Sequence, residues 1–170
     1  MYRQGYELIR ISIRSKPLAT VPGVFFCRNI SQMRRMTVLD RAAEIQDEFD
    51  FLDDWEDRYA HIIDLGKANP ALEAHERTEE TKVRGCASQV WMVITPDADR
   101  LNIRAESDAM IVSGLISLLV RLFSGATRAE ITTFDADQFL KKIGVTGALS
   151  AQRSNGLASM LARIKQSAAT

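Results

Sequence analysis

Gln89-Val-Trp-Met-Val-Ile94, Thr95-Pro-Asp-Ala-Asp99 and Arg100-Leu-Asn-Ile-Arg-Ala105 follow one another as an apolar run, a turn-forming cluster and an alternating run. A short, nearly continuous apolar run has the length of a buried strand, and Leu101, Ile103 and Ala105 repeat with the period of a strand buried on one face. The Pro and Asp residues between them predict the reversal, so the stretch reads as an antiparallel hairpin. Directly before it stands Lys82-Val-Arg-Gly-Cys-Ala-Ser-Gln-Val-Trp91, a charged, Gly-punctuated loop that delivers Cys86 in front of the first strand. A cysteine that only fills a core belongs inside the apolar run; one that follows a glycine at the hinge between loop and strand is placed for chemistry.

Upstream of the hairpin the pattern is helical. Val38, Ala42, Ile45 and Phe49 recur at helical spacing from Thr37, and Asp50 to Asp54 interrupts before a second helix with Trp55, Tyr59, Ile62 and Ile63 on one face. Gly66 and Asn69-Pro70 are its expected stop, and the acidic stretch Glu73 to Glu80 leads into the cysteine segment. Downstream, Ser107 and Asp108 are candidate N-caps for a helix over Ala109 to Phe123, apolar almost all round and so expected to cross the middle of the domain. Shorter helical pieces follow around Arg128 to Thr132 and Ala136 to Ile143. Gly144 and Gly147 then make a turn, and Ser150 is a candidate cap for a last helix with Leu157, Met160, Leu161 and Ile164 inward. The chain has no internal repeat and no interdomain linker.

The 170 residues, 46% hydrophobic and 26% charged, fit one globular domain. The formal net charge is zero but unevenly spread: residues 1–36 hold seven Lys/Arg against Glu7 alone, leaving 15 basic and 21 acidic residues beyond. An acidic body lacks the clustered cations that bind phosphates, which argues against nucleic acid and for a protein partner. Residues 1–36 carry Pro17, Pro22 and Gly23, show no sustained period and read as a disordered N-terminal extension to a domain at 37–170. Two origins fit this extension: a transit peptide, or an upstream start codon with Met33 or Met36 as the initiator, the second being preferred. No apolar stretch reaches the roughly 18–20 residues of a membrane span. Cys27 and Cys86 lie in segments of different character and do not form a disulfide framework, so a reducing, cytoplasmic setting is expected.

Most chemical candidates have a bland reading. Two cysteines with His61 and His75, at unrelated spacings, do not make a zinc pattern, and the imidazoles read as surface or helix-edge groups. There is no Gly-x-Ser-x-Gly elbow, phosphate loop or dinucleotide fingerprint. The pairs Asp53-Asp54 and Glu79-Glu80 point apart and read as solvated. Trp55, Tyr59 and Trp91 read as core packing rather than ligand stacking, with Trp91→Ala expected to cost about 3–5 kcal/mol. Cys86 alone stands between two readings, a reactive thiol and a small buried hydrophobe. Were Lys82 to Cys86 extended, Lys82 and Arg84 would share a face with the thiol and favour thiolate, the species that attacks sulfur.

Residues 37–170 resemble the SufE family of cysteine-desulfuration proteins. The resemblance rests on Trp55-Glu-Asp-Arg-Tyr59 with Ile62-Ile-Asp-Leu-Gly66, Val83-Arg-Gly-Cys-Ala-Ser-Gln-Val-Trp91, Ser107-Asp-Ala-Met-Ile-Val-Ser-Gly-Leu115 and Arg153-Ser-Asn-Gly-Leu157. It implies an α+β fold, a small antiparallel β-sheet packed against several helices, similar to the IscU-like scaffolds on which iron-sulfur clusters are assembled. It also implies that Cys86 accepts persulfide sulfur from a SufS-like cysteine desulfurase and passes it to a downstream iron-sulfur scaffold. On this reading the chain is a carrier that stimulates the desulfurase rather than an enzyme. It binds no metal or cofactor of its own, since the pyridoxal phosphate belongs to the partner.

By the same resemblance Gln89, Asp108, Arg153 and Asn155 support the cysteine loop, and Arg84 is counted with them from its expected place beside the thiol. Arg153 would stabilise a thiolate or persulfide by charge, Gln89 and Asn155 would hydrogen-bond loop carbonyls, and Asp108 is either a helix cap or site support. Gly156, costly inside a helix, implies close packing against another backbone. The family tends to shelter this sulfur in an apolar cavity, which would raise the thiol pKa against the effect of the nearby cations. Two positions depart from the family: Ser113 stands where a basic residue is usual, read as a lost surface charge that bears on docking, and Ala151 where Pro is common. Two other functions remain open, a thiol oxidoreductase cycling Cys27 and Cys86, and a binding module that activates its partner without covalent transfer.

Overall fold

The computed structural model describes residues 36–170; the expected N-terminal extension, Cys27 included, lies outside the described residues apart from Met36. Within them, six helices and a three-stranded antiparallel sheet make an α+β architecture, as expected. Helix α1 (Val38–Asp50) is opened by a capping box in which Thr37 and Asp40 each accept the other's backbone N–H, and it buries Val38, Ala42, Ile45 and Phe49. Helix α2 (Trp55–Ala68) is capped by the Asp54 carboxylate on the Asp57 N–H at 2.8 Å. Asp54 is thus a cap, in keeping with its solvated reading.

Strands β1 (Val90–Asp97) and β2 (Arg100–Ser107) form the predicted hairpin, in register from Val90 opposite Ser107 to Asp97 opposite Arg100. The reversal is tighter than expected. Thr95, Pro96 and Asp97 belong to the strand, and only Ala98 and Asp99 turn, with Ala98 at φ 53°. The strand is not buried on both faces either: Val90 and Met92 point into the core while Trp91 is half-buried on the opposite side, across from Lys82. Trp91 is therefore a packing residue of the outer face, and its truncation costs less than a core tryptophan's.

Helix α3 (Met110–Phe123) crosses the centre, with ten of its fourteen residues buried. It crosses α2 at a glycine pair. A Cβ on Gly114 would overlap the Ile62 carbonyl, and one on Gly66 would lie 2.8 Å from the Gly114 nitrogen. Gly66 thus does not stop α2, which runs on to Ala68 before Asn69-Pro70; it is there to let two backbones meet. Ser113 is buried at the same crossing and donates to the Gly66 carbonyl at 3.2 Å, so this position faces a helix and is not the surface docking site it was read as.

A third strand, β3 (Ala126–Thr127), pairs with β2 at Arg100 and Leu101, completing the order β1-β2-β3. It is too short to show in the sequence. Helices α4 (Arg128–Thr133), α5 (Ala136–Lys142) and α6 (Ala151–Ala169) follow as expected, and α6 turns Leu157, Met160, Leu161 and Ile164 inward. Ser150 holds the N-cap position of α6 without a side-chain cap bond. Trp55 corrects another expectation: it is 61% exposed, resting edge-on against Tyr59 rather than in the core. No helix among the described residues is long and apolar enough to cross a membrane.

Candidate functional site

The site is a loop held at its neck and resting on a helix. Residues 81–83 run antiparallel to the start of β1, with Met92 N–H donating to Thr81 O at 2.7 Å and Val83 N–H to Val90 O at 2.8 Å. Between these bonds the chain turns at Arg84-Gly85 and bends through Ala87-Ser88 before entering β1. Gly85 has φ +89°, a backbone conformation that side chains rarely adopt. The turn breaks the extended geometry that would have set Lys82 and Arg84 beside the thiol. Arg84 is instead exposed at the loop's turn.

Cys86 lies half-buried with its sulfur against α6. Its thiol donates to the Gly156 carbonyl at 3.4 Å, and a Cβ on Gly156 would sit 3.3 Å from the sulfur. This is the close packing that Gly156 implied. Beside the sulfur is a cavity of about 20 Å³ lined chiefly by Val112 and Leu115 of α3, Met160 and Gly156 of α6, and Ser88 of the loop, with Gln152 and Arg153 at its polar side. Burial pushes the Cys86 thiol up from the usual cysteine range, and a hydrogen bond in which the neutral S–H donates acts in the same direction. At rest the group is a sheltered thiol, so the expected push toward thiolate from Lys82 and Arg84 is overturned.

The inner leg is fixed by Asp108. Gln89 N–H donates to the Asp108 carboxylate at 2.9 Å, and Asp108 N–H returns a bond to Gln89 O at 3.2 Å. Asp108 is therefore not the cap of α3, whose N-cap is Ala109 without a side-chain bond; Ser107 instead accepts the Ala109 N–H. Of its two expected roles, loop support is the one the geometry gives. Gln89 takes part through its backbone, while its side chain lies at the exposed surface. Arg153 lines the cavity, and Asn155, exposed on α6, contributes its carbonyl to the Ser159 hydroxyl.

Four contributors were missed from sequence. Val112 and Leu115 of α3 read as generic core, though they wall the cavity. Ser159 stops the loop at Gly85, where a Cβ would come within 2.7 Å of its hydroxyl. Arg163 bonds the outer leg at the carbonyls of Glu80 and Lys82. The signal was the helical period itself, since Gly156, Ser159 and Arg163 fall on one face of α6.

The remaining titratable candidates stay apart from the thiol. His61 sits at the edge of α2, 3.6 Å from Glu48 and edge-on to Phe49, and His75 is exposed in a short 3-10 turn. Among the described residues no three His, Cys, Asp or Glu side chains group to hold a metal ion.

Known proteins resemble the chain in sequence and in fold. The chain is 50% identical over 137 residues to an uncharacterised SufE-like protein of Rhizobium meliloti, covering 78% of this chain and 96% of that one. It is 48% identical over 129 residues to an uncharacterised SufE-like protein of Rhizobium etli, covering 74% and 87%. The solution structure of a hypothetical protein from Thermus thermophilus shares the fold at a TM-score of 0.63 and 15% identity, over 76% of this chain and 93% of that one. The model of the SufE family, described as an Fe-S metabolism associated domain, matches residues 43–168, and the chain belongs to that family.

Proposed function

We propose that this chain accepts persulfide sulfur on Cys86 from a pyridoxal-phosphate-dependent, SufS-like cysteine desulfurase, hands it to an iron-sulfur scaffold, and so stimulates the desulfurase. The observation that carries the reading is a thiol in a loop beside a cavity of about 20 Å³. Roughly 10–15 Å³ of such space already admits one water, so the cavity takes one further atom of that order, as the outer sulfur of a persulfide would be. Its apolar wall would keep water and reductants from that sulfur.

The transfer balances without an external oxidant. The Cys86 thiolate attacks the outer sulfur of the donor's persulfide; a sulfur-sulfur bond forms on Cys86, the donor's bond breaks, and the donor cysteine leaves as thiolate. Because burial holds Cys86 as thiol, its proton must leave as the tip swings away from Gly156 toward the donor. Arg153, at the cavity's polar side, then offers positive charge to the returning persulfide. Asp108 holds the inner leg, while Arg84, Gln89 and Asn155 face outward where a donor protein would dock. The chain acts as a carrier and supplies no cofactor. Such an exchange belongs where thiols stay reduced, as in the cytoplasm.

Incubation with desulfurase, cysteine and pyridoxal phosphate should add about 32 Da to the intact mass, removable by reductant. Cys86→Ser should remain folded and gain nothing. A Cys86→Ser chain that still gains the sulfur overturns the assignment, and one that keeps full stimulation of the desulfurase makes the chain a non-covalent activator.

A further inference from the structure

We propose that Arg163 is the clamp on the outer leg of the cysteine loop and sets how readily Cys86 is released. In an extended segment successive carbonyls point to opposite sides. As the chain leaves the turn that ends at Thr81, it follows that rule: Thr81 O and Val83 N–H face β1, while Lys82 N–H turns the other way to Thr78 O at 3.1 Å. Apart from that bond, the outward edge would lack a strand partner. Arg163 fills it, donating from Nη2 to Glu80 O at 2.8 Å and from Nη1 to Lys82 O at 2.9 Å. The two arms of a planar guanidinium thus stand where a further strand would, with the strength of charge-assisted bonds.

The clamp belongs to the same helix face as the thiol's floor. Gly156 lies under the sulfur, Ser159 meets Gly85, and Arg163 comes one turn further along α6. With the leg pinned at Glu80 and Lys82 and the inner leg held at Asp108, motion is confined to the tip, residues 84–88. Without Arg163 the outer leg keeps its two bonds to β1 and its local turn bonds, Lys82 N–H to Thr78 O at 3.1 Å and the Thr81 hydroxyl to Glu76 O at 2.6 Å, but it loses its tie to α6, and the tip loses the fixed neck that returns Cys86 to its cavity. Arg163 is a positioning residue: it does not touch the sulfur, and it acts through the loop.

The inference deepens the sulfur-carrier reading in its consequence, but its test needs no desulfurase. Alkylation of Cys86 by iodoacetamide, at fixed pH on the whole chain, should be faster by roughly tenfold in Arg163→Ala, the scale of losing charge-assisted bonds. Arg163→Lys, which keeps a charge but not the fork, should fall between that variant and the wild type. Hydrogen exchange should quicken at the Val83 and Met92 amides while those of α3 keep their protection. An alkylation rate unchanged in Arg163→Ala overturns the clamp. So does a rise in exchange spread equally through α3, which would mark a global loss of stability. A chain that fails to take up sulfur while Arg163→Ala alkylates faster sinks only the sulfur-carrier reading; an unchanged rate beside normal sulfur uptake sinks only the clamp.

Discussion

Gly156 lies directly beneath Cys86: the thiol donates to the Gly156 carbonyl at 3.4 Å, and a Cβ there would sit 3.3 Å from the sulfur and 3.6 Å from the Cys86 Cα. The helix tolerates a residue of poor helical propensity so that the loop can rest on its backbone. Gly156→Ala should gain about 1 kcal/mol of propensity and lose a comparable amount to the tight contact. The melting temperature should stay within a few degrees of wild type. The added methyl takes space beside the sulfur, so a persulfide formed on Cys86 should be stripped by reductant faster. Intact mass followed over time in dithiothreitol checks this; equal lifetimes would mean the space beside the sulfur does not shelter it.

The crossing of α2 and α3 predicts a different result for two other glycines. A Cβ on Gly114 meets the Ile62 carbonyl, and one on Gly66 meets the Met110 carbonyl and the Gly114 nitrogen, all backbone atoms that cannot rotate aside. Overpacking of this kind costs about 1–3 kcal/mol and more where backbones must part. Gly114→Ala should lower stability by at least that amount in urea denaturation, and Gly66→Ala by somewhat less. Ser113, which donates to the Gly66 carbonyl, should lose its bond in both.

What the sequence disclosed, and what it hid, follows from the same contacts. The period-two and helical patterns placed the hairpin, α3 and the inward stripe of α6, because burial on one face leaves a repeat that one chain segment displays by itself. Gly66 was misread as a helix stop because a glycine demanded by a neighbouring helix looks, in one dimension, like one demanded by a turn. Asp108 and Ser107 looked like caps because a short polar residue before an apolar run is the signature of both a cap and a loop brace. The thiol's environment lay further out of reach: Val112, Leu115, Met160 and Arg163 come from two helices far apart in sequence, and only their packing makes one cavity and one clamp. Trp55 and Trp91 show the converse, since an aromatic at the right spacing can still face outward.

Acid should loosen the contact between α1 and α3. The Arg121 guanidinium of α3 hydrogen-bonds the Glu48 carboxylate of α1, at 2.8 Å through Nη1, and holds it below the usual carboxylate range. A depressed folded pKa means that this stabilisation is present above the unfolded glutamate value and is lost as pH falls through the folded one. Both side chains are about a third exposed, so screening limits the term to below about 1 kcal/mol. Glu48→Gln should therefore cost little at pH 7 and flatten part of the fall in stability below about pH 4.5, as read from urea midpoints against pH.

The thiol titrates in the opposite sense, and that ties the fold to the proposed chemistry. Burial raises the folded pKa of Cys86 above its unfolded value, so the stability it lends is full below the unfolded thiol pKa and is lost as pH rises through the folded one. The alkylation rate of the native chain should rise with pH to a midpoint above that of the urea-unfolded chain. The shift should shrink in any variant that frees the tip, Asp108→Ala among them, because the released thiol regains water and loses the Gly156 carbonyl. Adding the desulfurase, blocked at its own nucleophile, should move the midpoint the same way if docking draws the loop outward. A native midpoint at or below the unfolded one would mean that the sulfur is already solvated and cationically assisted at rest, leaving a partner nothing to unlock.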